Sequence, residues 1–328
     1  MLNLRPLGTL GIAVSEISFG GAAISGEGRG YGFGHIGDAE AATLLAGCFD
    51  RGINLYDTAP VYGFGLSEKR IGRAFRDIRD RVFIVSKGGI VWDDRKRIKI
   101  DNHPALMQKM LEQSLKDLQT DYIDLYMIHW PDKYIDIRRP MEYLSRAREA
   151  GKIKAIGLCN AGREDINKAE EIDAVDAVQN ELNLFNDAPF HDIREMIRHK
   201  NTGFLSWGTL DKGMLTGRVT PERTFDDADA RAWAPWWKHE DRTPKYRAMK
   251  KIAARLSESG HSLLALALGY VLQYKEVSAA LCGIRNIAQL DSAIDALAHL
   301  PRHELLAEAK AIADETLRNY RAEKEHQM

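Results

Sequence analysis

Four side chains able to hold or move a proton stand behind short apolar runs: Asp57 after INLY, Tyr62 in DTAPVYG, Lys87 after VFIVS and His129 after DLYMI. Any one of them alone reads as a structural hydrogen-bonding group. Brought to one rim, they describe chemistry on a carbonyl. A phenol with an ordinary pKa of about 10 is a poor acid at neutral pH. A close ammonium favours its anion, so Lys87 beside Tyr62 is expected to bring the phenol's pKa down, and Asp57 paired with Lys87 keeps that lysine charged and oriented. Tyr62 then serves as general acid to a carbonyl oxygen, and His129 gives a second hydrogen bond where negative charge develops. No side chain delivers the hydride that this reduction needs, which points to a nicotinamide cofactor.

Positioning four such groups together requires strands that end side by side. Short runs rich in Val, Ile and Leu recur along the chain, each followed by a segment of helical spacing, and that alternation predicts parallel strands covered by helices. Eight such pairs are present, with strands over 17–21, 54–57, 82–87, 123–129, 153–159, 177–181, 203–207 and 277–282. Eight βα units close into an α/β fold of the (β/α)8 TIM-barrel type. In the first helix Ala41, Leu44, Leu45, Cys48 and Phe49 share one stripe, Asp38 is placed to cap the start and Gly52 to stop the end. Ahead of the first strand, LRPLGTLGIAVSEIS predicts a hairpin across the barrel floor, and residues 302–325 predict an extra C-terminal helix. The connections 90–103 and 208–242 are long and follow the carboxyl ends of strands, the face that carries chemistry in such barrels. The glycines of 26–37 lack the strand-to-helix setting of a dinucleotide fingerprint and predict a mobile first loop.

The whole chain, 1–328, is expected to be one domain, since 45% hydrophobic residues and ten scattered prolines suit a single large core. Lys and Arg total 46 against 47 Asp and Glu, so no net field gathers nucleic acid or an anionic membrane. Cys48, Cys159 and Cys282 lie far apart in apolar runs, as reduced buried thiols do, and no metal-ligand spacing is present. The start MLNLRPLG has no signal-peptide pattern, and no apolar run is long enough for a bilayer. These features lead to the expectation of a cytoplasmic protein without metal, nucleic-acid partner or membrane.

The segments GTLGIAVSEISFGG, INLYDTAPVYGFGLSEKRIG, VFIVSKGG and DYIDLYMIHWPD resemble, in order and spacing, the motifs of the aldo-keto reductases, and the resemblance spans nearly the whole chain. It implies an NAD(P)-dependent oxidoreductase with Asp57, Tyr62, Lys87 and His129 as its catalytic set and a small-molecule carbonyl or alcohol as substrate. It also implies a cofactor lying across the barrel mouth without a Rossmann domain, against Gly21, Ala22 and Asp57 at the first two strand ends. Cys159 and Asn160 in GLCN stand where the family usually has Ser-Asn on the nicotinamide carboxamide, Gln179 resembles a further amide partner, and Trp207 falls where an aromatic ring stacks on the nicotinamide. WGTLDKGMLTGR is similar to the family's pyrophosphate loop, which makes Gly208, Thr209, Leu210, Lys212, Gly213 and Arg218 candidates, with Gly208 and Thr209 replacing the usual Ser and Pro. In GIRNIAQLDSA, which adds Gly283, Ile284 and Gln289, Ser292 and Ala293 replace the usual Glu-Asn at the adenine. Arg285 remains as a guanidinium suited to a 2′-phosphate, so NADP is expected ahead of NAD.

Trp92, Trp130, Trp233, Trp236 and Trp237 lie in the loops above the site and could wall an apolar or sugar-stacking pocket or anchor the loops to the rim. Three alternatives stay open: an NAD-dependent sugar dehydrogenase of the same family, a cofactor-binding regulatory subunit with little turnover, and a barrel hydrolase. The hydrolase needs a His-x-His metal pair near the first strand or two carboxylates facing across the mouth, and neither pattern is visible.

Overall fold

The structure is a computed structural model and describes residues 2–26 and 30–326. At its start, β1 (Leu4–Pro6) pairs antiparallel with β2 (Ala13–Ser15) across a turn in which Gly8 takes φ +55°. Only glycine fits there, because a Cβ would stand 2.4 Å from the backbone nitrogen of Gly203. The hairpin thus seats directly on the barrel, and its Leu7 and Val14 plug the interior from below.

Next come β3 (Ile17–Gly20), helix α1 (Asp38–Asp50), β4 (Leu55–Asp57), α2 (Leu66–Phe75) and β5 (Phe83–Gly88). A small antiparallel hairpin, β6 (Ile90–Trp92) with β7 (Ile98–Ile100), occupies the expected long third connection. The chain continues through α3 (Pro104–Asp117), β8 (Ile123–Ile128), α4 (Arg138–Glu149), β9 (Ile153–Cys159), α5 (Arg163–Glu170), β10 (Ala177–Glu181), α6 (Ala188–Lys200) and β11 (Gly203–Trp207). After a long connection containing α7 (Pro235–Lys238) come α8 (Thr243–Ser257), α9 (Leu263–Leu272), β12 (Val277–Cys282), α10 (Ile287–Ala298) and the closing α11 (His303–Glu325). Eight strands, in the order β3-β4-β5-β8-β9-β10-β11-β12, are hydrogen-bonded in parallel, and β12 returns to β3 to close a (β/α)8 barrel.

Two apolar layers hold it. The outer layer lies between strands and helices and includes Phe19, Tyr56, Ile84, Tyr126, Ile156, Val178 and Phe204. The inner one fills the barrel with Leu55, Val85, Leu125, Met127, Ala155, Ala177, Leu205 and Ala279. Successive residues of a strand serve opposite layers, as its period of two requires.

One local expectation is corrected. Gly37, not Asp38, is the N-cap of α1, and it makes no side-chain cap. The Asp38 carboxylate instead accepts from Arg70 and Arg73 on α2, each at 2.9 Å, because charge pairing between adjacent helices outcompetes a backbone cap. The expected mobile loop falls partly on 27–29, outside the described residues. The segment 30–33 is bonded on both sides: the Gly63 amide donates to the Gly30 carbonyl (2.7 Å), the Ala230 amide to Gly32 (2.8 Å), and Phe33 forms a β-bridge with Asp229.

Candidate active site

On five of the eight strands the inward-facing column is apolar below and carries a polar or indole side chain at the rim. Leu55 is followed two residues on by Asp57, Val85 by Lys87, Met127 by His129, Ala177 by Gln179 and Leu205 by Trp207. Strand periodicity therefore stacks a polar ring on top of the interior core, at the carboxyl ends of the strands.

Within that ring Lys87 is fully buried, and its ammonium donates to Asp57 Oδ1 at 2.5 Å and to the Thr58 carbonyl at 3.0 Å. Burial opposes the charge on Lys87, but Asp57 and the phenol side of Tyr62 outweigh it and hold the ammonium above the ordinary lysine range. Tyr62 comes from the loop after β4 and lies edge-on to the His129 ring, with centroids 5.8 Å apart and planes at 90°. The Lys87 nitrogen is 5.4 Å from the centre of the Tyr62 ring. The expected lowering of the Tyr62 pKa is reversed: burial raises it, and Lys87 recovers only part of the rise, because desolvating a phenolate costs more here than one ammonium returns. Tyr62 is thus a protonated phenol across the physiological range. His129 is also buried, and burial first, then Lys87, pushes its imidazole well below the ordinary value. It is a neutral ring that can donate one N–H and carries no charge.

Beside these groups, Asn160 takes a left-handed backbone (φ +57°). Its Nδ2 donates to the His129 carbonyl at 3.0 Å, and its Oδ1 accepts from Trp207 Nε1 at 3.0 Å. Gln179 Nε2 donates to Asp57 Oδ1 at 2.8 Å, and Cys159 Sγ donates to Gln179 Oε1 at 3.4 Å. Burial pushes the Cys159 thiol up to about 12, so it is not a nucleophile at neutral pH.

A family model described as "Aldo/keto reductase family" matches residues 16–314. The chain belongs to the aldo-keto reductase family. "Aldo-keto reductase YhdN" of Bacillus subtilis is 32% identical, over 86% of this chain and 85% of that protein. "NADH-specific methylglyoxal reductase" of Escherichia coli is 28% identical, over 89% and 92%. The solved structure of the glycerol dehydrogenase AKR11B4 from Gluconobacter oxydans superposes with a TM-score of 0.82 at 29% identity, covering 95% of each chain. This aldo-keto reductase is accordingly an NAD(P)-dependent oxidoreductase acting on small-molecule carbonyls.

Its rim fits such a cofactor on chemical grounds. Two primary amides and a partly open indole lie side by side next to the buried ion pair, a set complementary to a carboxamide and a flat heteroaromatic ring. Gly21, at the end of β3, fits the same rim closely: a Cβ there would stand 2.6 Å from the Asp57 carbonyl, so the backbone before Ala22 lies against the Asp57 strand end.

The remaining cofactor candidates of this reductase are placed less uniformly. Gly208 (φ +67°) and buried Thr209 lead into a left-handed run of Asp211, Lys212 and Gly213. The Lys212 ammonium lies 3.2 Å from Asp211 and 3.5 Å from Glu181, and these carboxylates hold it above the ordinary lysine range against its burial. Leu210 packs on the outer core, whereas Arg218 is exposed. After β12, Gly283 is open and Ile284 is buried, while the Gln289 side chain accepts from the Arg285 amide at 2.8 Å. The Arg285 guanidinium donates to the Phe33, Gly34 and His35 carbonyls. Ser292 turns back on its own helix to the Ala288 carbonyl, and Ala293 is buried.

The tryptophans divide. Trp237 is buried with Met214, Val219 and Met249 and anchors the seventh loop. Trp233 meets Tyr31 edge-on (5.1 Å), Trp92 meets Phe64 (5.1 Å), and Trp130 and Trp236 are exposed. Tyr31, which packs with Tyr62 around Ala59, Val61 and Ile90, and the Arg231–Asp229 pair, which ties the seventh loop to the Lys212 carbonyl, escape sequence reasoning. Both sit in loops without periodicity; only the Asp-x-Arg spacing hinted at the second.

Proposed function

We propose that this chain, acting as one barrel domain, passes hydride between a nicotinamide cofactor and an aldehyde, ketone or sugar carbonyl. Asp57, Tyr62, Lys87 and His129 are its catalytic set. The observation that carries the reading is the Lys87 ammonium, wholly buried, fixed by Asp57 and directed at the Tyr62 ring. So costly a buried charge is unnecessary for packing and useful where a phenolate must form. When bound, the cofactor supplies hydride at C4 of its nicotinamide. In reduction, the Tyr62 hydroxyl and the neutral His129 N–H hydrogen-bond the carbonyl oxygen, and negative charge grows there between two donors. As the C=O bond becomes a C–O single bond, the proton on Tyr62 Oη moves to that oxygen, leaving a phenolate beside Lys87. A phenol with a raised pKa remains a stronger acid than an alcohol, so the transfer runs downhill. Oxidation reverses each movement, with Tyr62 as base.

Asn160, Gln179 and Trp207 are proposed to hold the nicotinamide end, and residues 208–213 the phosphates. NADP is the form favoured by a guanidinium at the end of β12; a 2′-phosphate would have to draw Arg285 away from the carbonyls of 33–35. NAD is the second reading, supported by that engagement and by the relative named for NADH. The relatives named for glycerol and methylglyoxal support a small polyol or carbonyl substrate. A cytoplasmic setting fits three buried, unpaired cysteines. Tyr62→Phe tests the reading. It should bind NADPH or NADH nearly as the parent does, by fluorescence titration, and lose about 10²- to 10⁴-fold in reduction across a panel of aldehydes, ketones and sugars. Parent-like turnover by the variant would remove Tyr62 from the acid role.

A further inference from the structure

We propose that Gln179 is a positioning residue that couples the seat of the nicotinamide carboxamide to the Asp57–Lys87 pair; the proposal rests on the cofactor reading above. The two residues Gln179 and Asp57 lie 122 positions apart in sequence, on β10 and β4, and meet across the barrel interior. Both ends of the Gln179 amide are engaged. Its Nε2 donates to Asp57 Oδ1 at 2.8 Å, the same oxygen that accepts from Lys87 at 2.5 Å. The place of that carboxylate, and of the ammonium it orients, is therefore set from two sides.

Behind Gln179 the donors continue in one direction. Trp207 Nε1 donates to Asn160 Oδ1 (3.0 Å), Asn160 Nδ2 to Cys159 Sγ (3.1 Å), and Cys159 Sγ to Gln179 Oε1 (3.4 Å). A chain whose donors all point one way polarises each of its members toward its end, and here the end is a buried carboxylate. Its weakest link is the thiol, a poor donor at a long distance. A carboxamide N–H is a better donor to Gln179 Oε1 than the Cys159 thiol. With that stronger bond, the Gln179 N–H facing Asp57 is more polarised, and the carboxylate that orients Lys87, and through it Tyr62, is held more firmly. Seating the nicotinamide ring thereby completes the acid.

Two variants test this. In Gln179→Glu the new carboxyl adjoins Asp57, with Lys87 and Cys159 as its other neighbours, and two adjoining carboxylates retain a proton between them above the ordinary carboxylate range. In its protonated form the introduced carboxyl donates to Asp57 as the amide did. In cofactor-free protein at neutral pH, infrared difference spectra against the parent should show the C=O band of a protonated carboxyl, lost again in Gln179→Glu with Asp57→Asn. At saturating cofactor, kcat of Gln179→Glu should gain a pH limb that the parent lacks, highest at the acid end and falling as the introduced carboxyl ionises. Gln179→Leu, which cannot donate, should lose about ten- to a hundredfold in kcat at every pH. If Gln179 serves the carboxamide alone, both variants weaken cofactor binding while the kcat profile keeps the parent's shape, and the proposal falls. The band together with a parent that binds no nicotinamide nucleotide would sink the functional reading and the coupling with it; binding and turnover without the band overturn the coupling alone.

Discussion

Replacing Glu68 by glutamine should make the protein more stable at pH 8 and nearly unchanged in stability at pH 5. Glu68 lies on α2 and is fully buried; its Oε1 accepts from Ser86 Oγ at 2.6 Å, while its Oε2 has no partner among the described residues. The Tyr126 and Ser114 hydroxyls are likewise buried. Burial moves the Glu68 carboxyl from its ordinary 4.5 up to about 7, with Asp117 adding to the rise and Ser86, Ser114 and Lys87 opposing it. The folded chain thus keeps a proton that the unfolded chain has released. Stability is greatest below the unfolded pKa, falls as pH rises toward the folded pKa, and is level above it. A shift of that size corresponds to about 3 kcal/mol. Glutamine has no such proton to lose, so the variant-minus-parent difference in stability should rise by about 3 kcal/mol from acid to pH 8, above a pH-independent cost of seating its NH2 group. Urea unfolding of both proteins by circular dichroism at several pH values, compared as a difference, cancels the titration of every other group. A difference that does not vary with pH would refute the claim that Glu68 holds a proton in the fold.

Two further outcomes concern the active site. Lys87→Met should leave Asp57 buried without its cation and cost about 3–5 kcal/mol of stability; adding Asp57→Asn should recover most of that in urea unfolding while carbonyl reduction stays lost, whereas recovery of turnover would show the pair to be structural. Arg285→Ala should weaken NADPH far more than NADH in fluorescence titrations if its guanidinium takes a 2′-phosphate; equal weakening would mean that Arg285 serves only the carbonyls of 33–35.

The barrel was legible because each strand states its own limits. The runs 153–159, 177–181, 203–207 and 277–282 match β9 to β12 residue for residue, and the other four differ by a residue at one end or both. Asp57, Lys87 and His129 each close an apolar run, and three such residues at the ends of barrel strands were visible as a set. What stayed hidden depends on neighbours that the sequence does not name. Asp38 looks like a cap until α2 brings two arginines beside it. Lys212 and Arg285 look like phosphate ligands, but which anion or carbonyl each meets is decided by loops folded from distant segments. Glu68 reads as a surface glutamate in SEKRIG, and only the packing of α2 on β5 buries it. The sign of the Tyr62 shift was out of reach for the same reason, since residue types reveal the opposing charge but not the depth of burial.

Of the four groups proposed as the catalytic set, three sit on strands or at their ends, and Tyr62 alone sits on a loop, although the proton transfer proposed for it demands the most exact placement. The loop compensates with backbone bonds. The Tyr62 amide donates to the Ala59 carbonyl (3.0 Å), Gly65 to Pro60 (2.7 Å), Gly63 to Gly30 (2.7 Å), and Ser67 returns to the Tyr62 carbonyl (3.2 Å). Tyr62 is therefore tied at once to its own turn, to the start of α2 and to the first loop. Because the seventh loop in turn bonds that first loop through Phe33 and Asp229, whatever reshapes the mouth on the cofactor side bears on the loop that carries Tyr62. Gln179 gives a second route between the same two regions, through the interior rather than over the rim. A perturbation confined to the loops should thus shift substrate affinity and cofactor release together, whereas one at Gln179 should act on the chemical step.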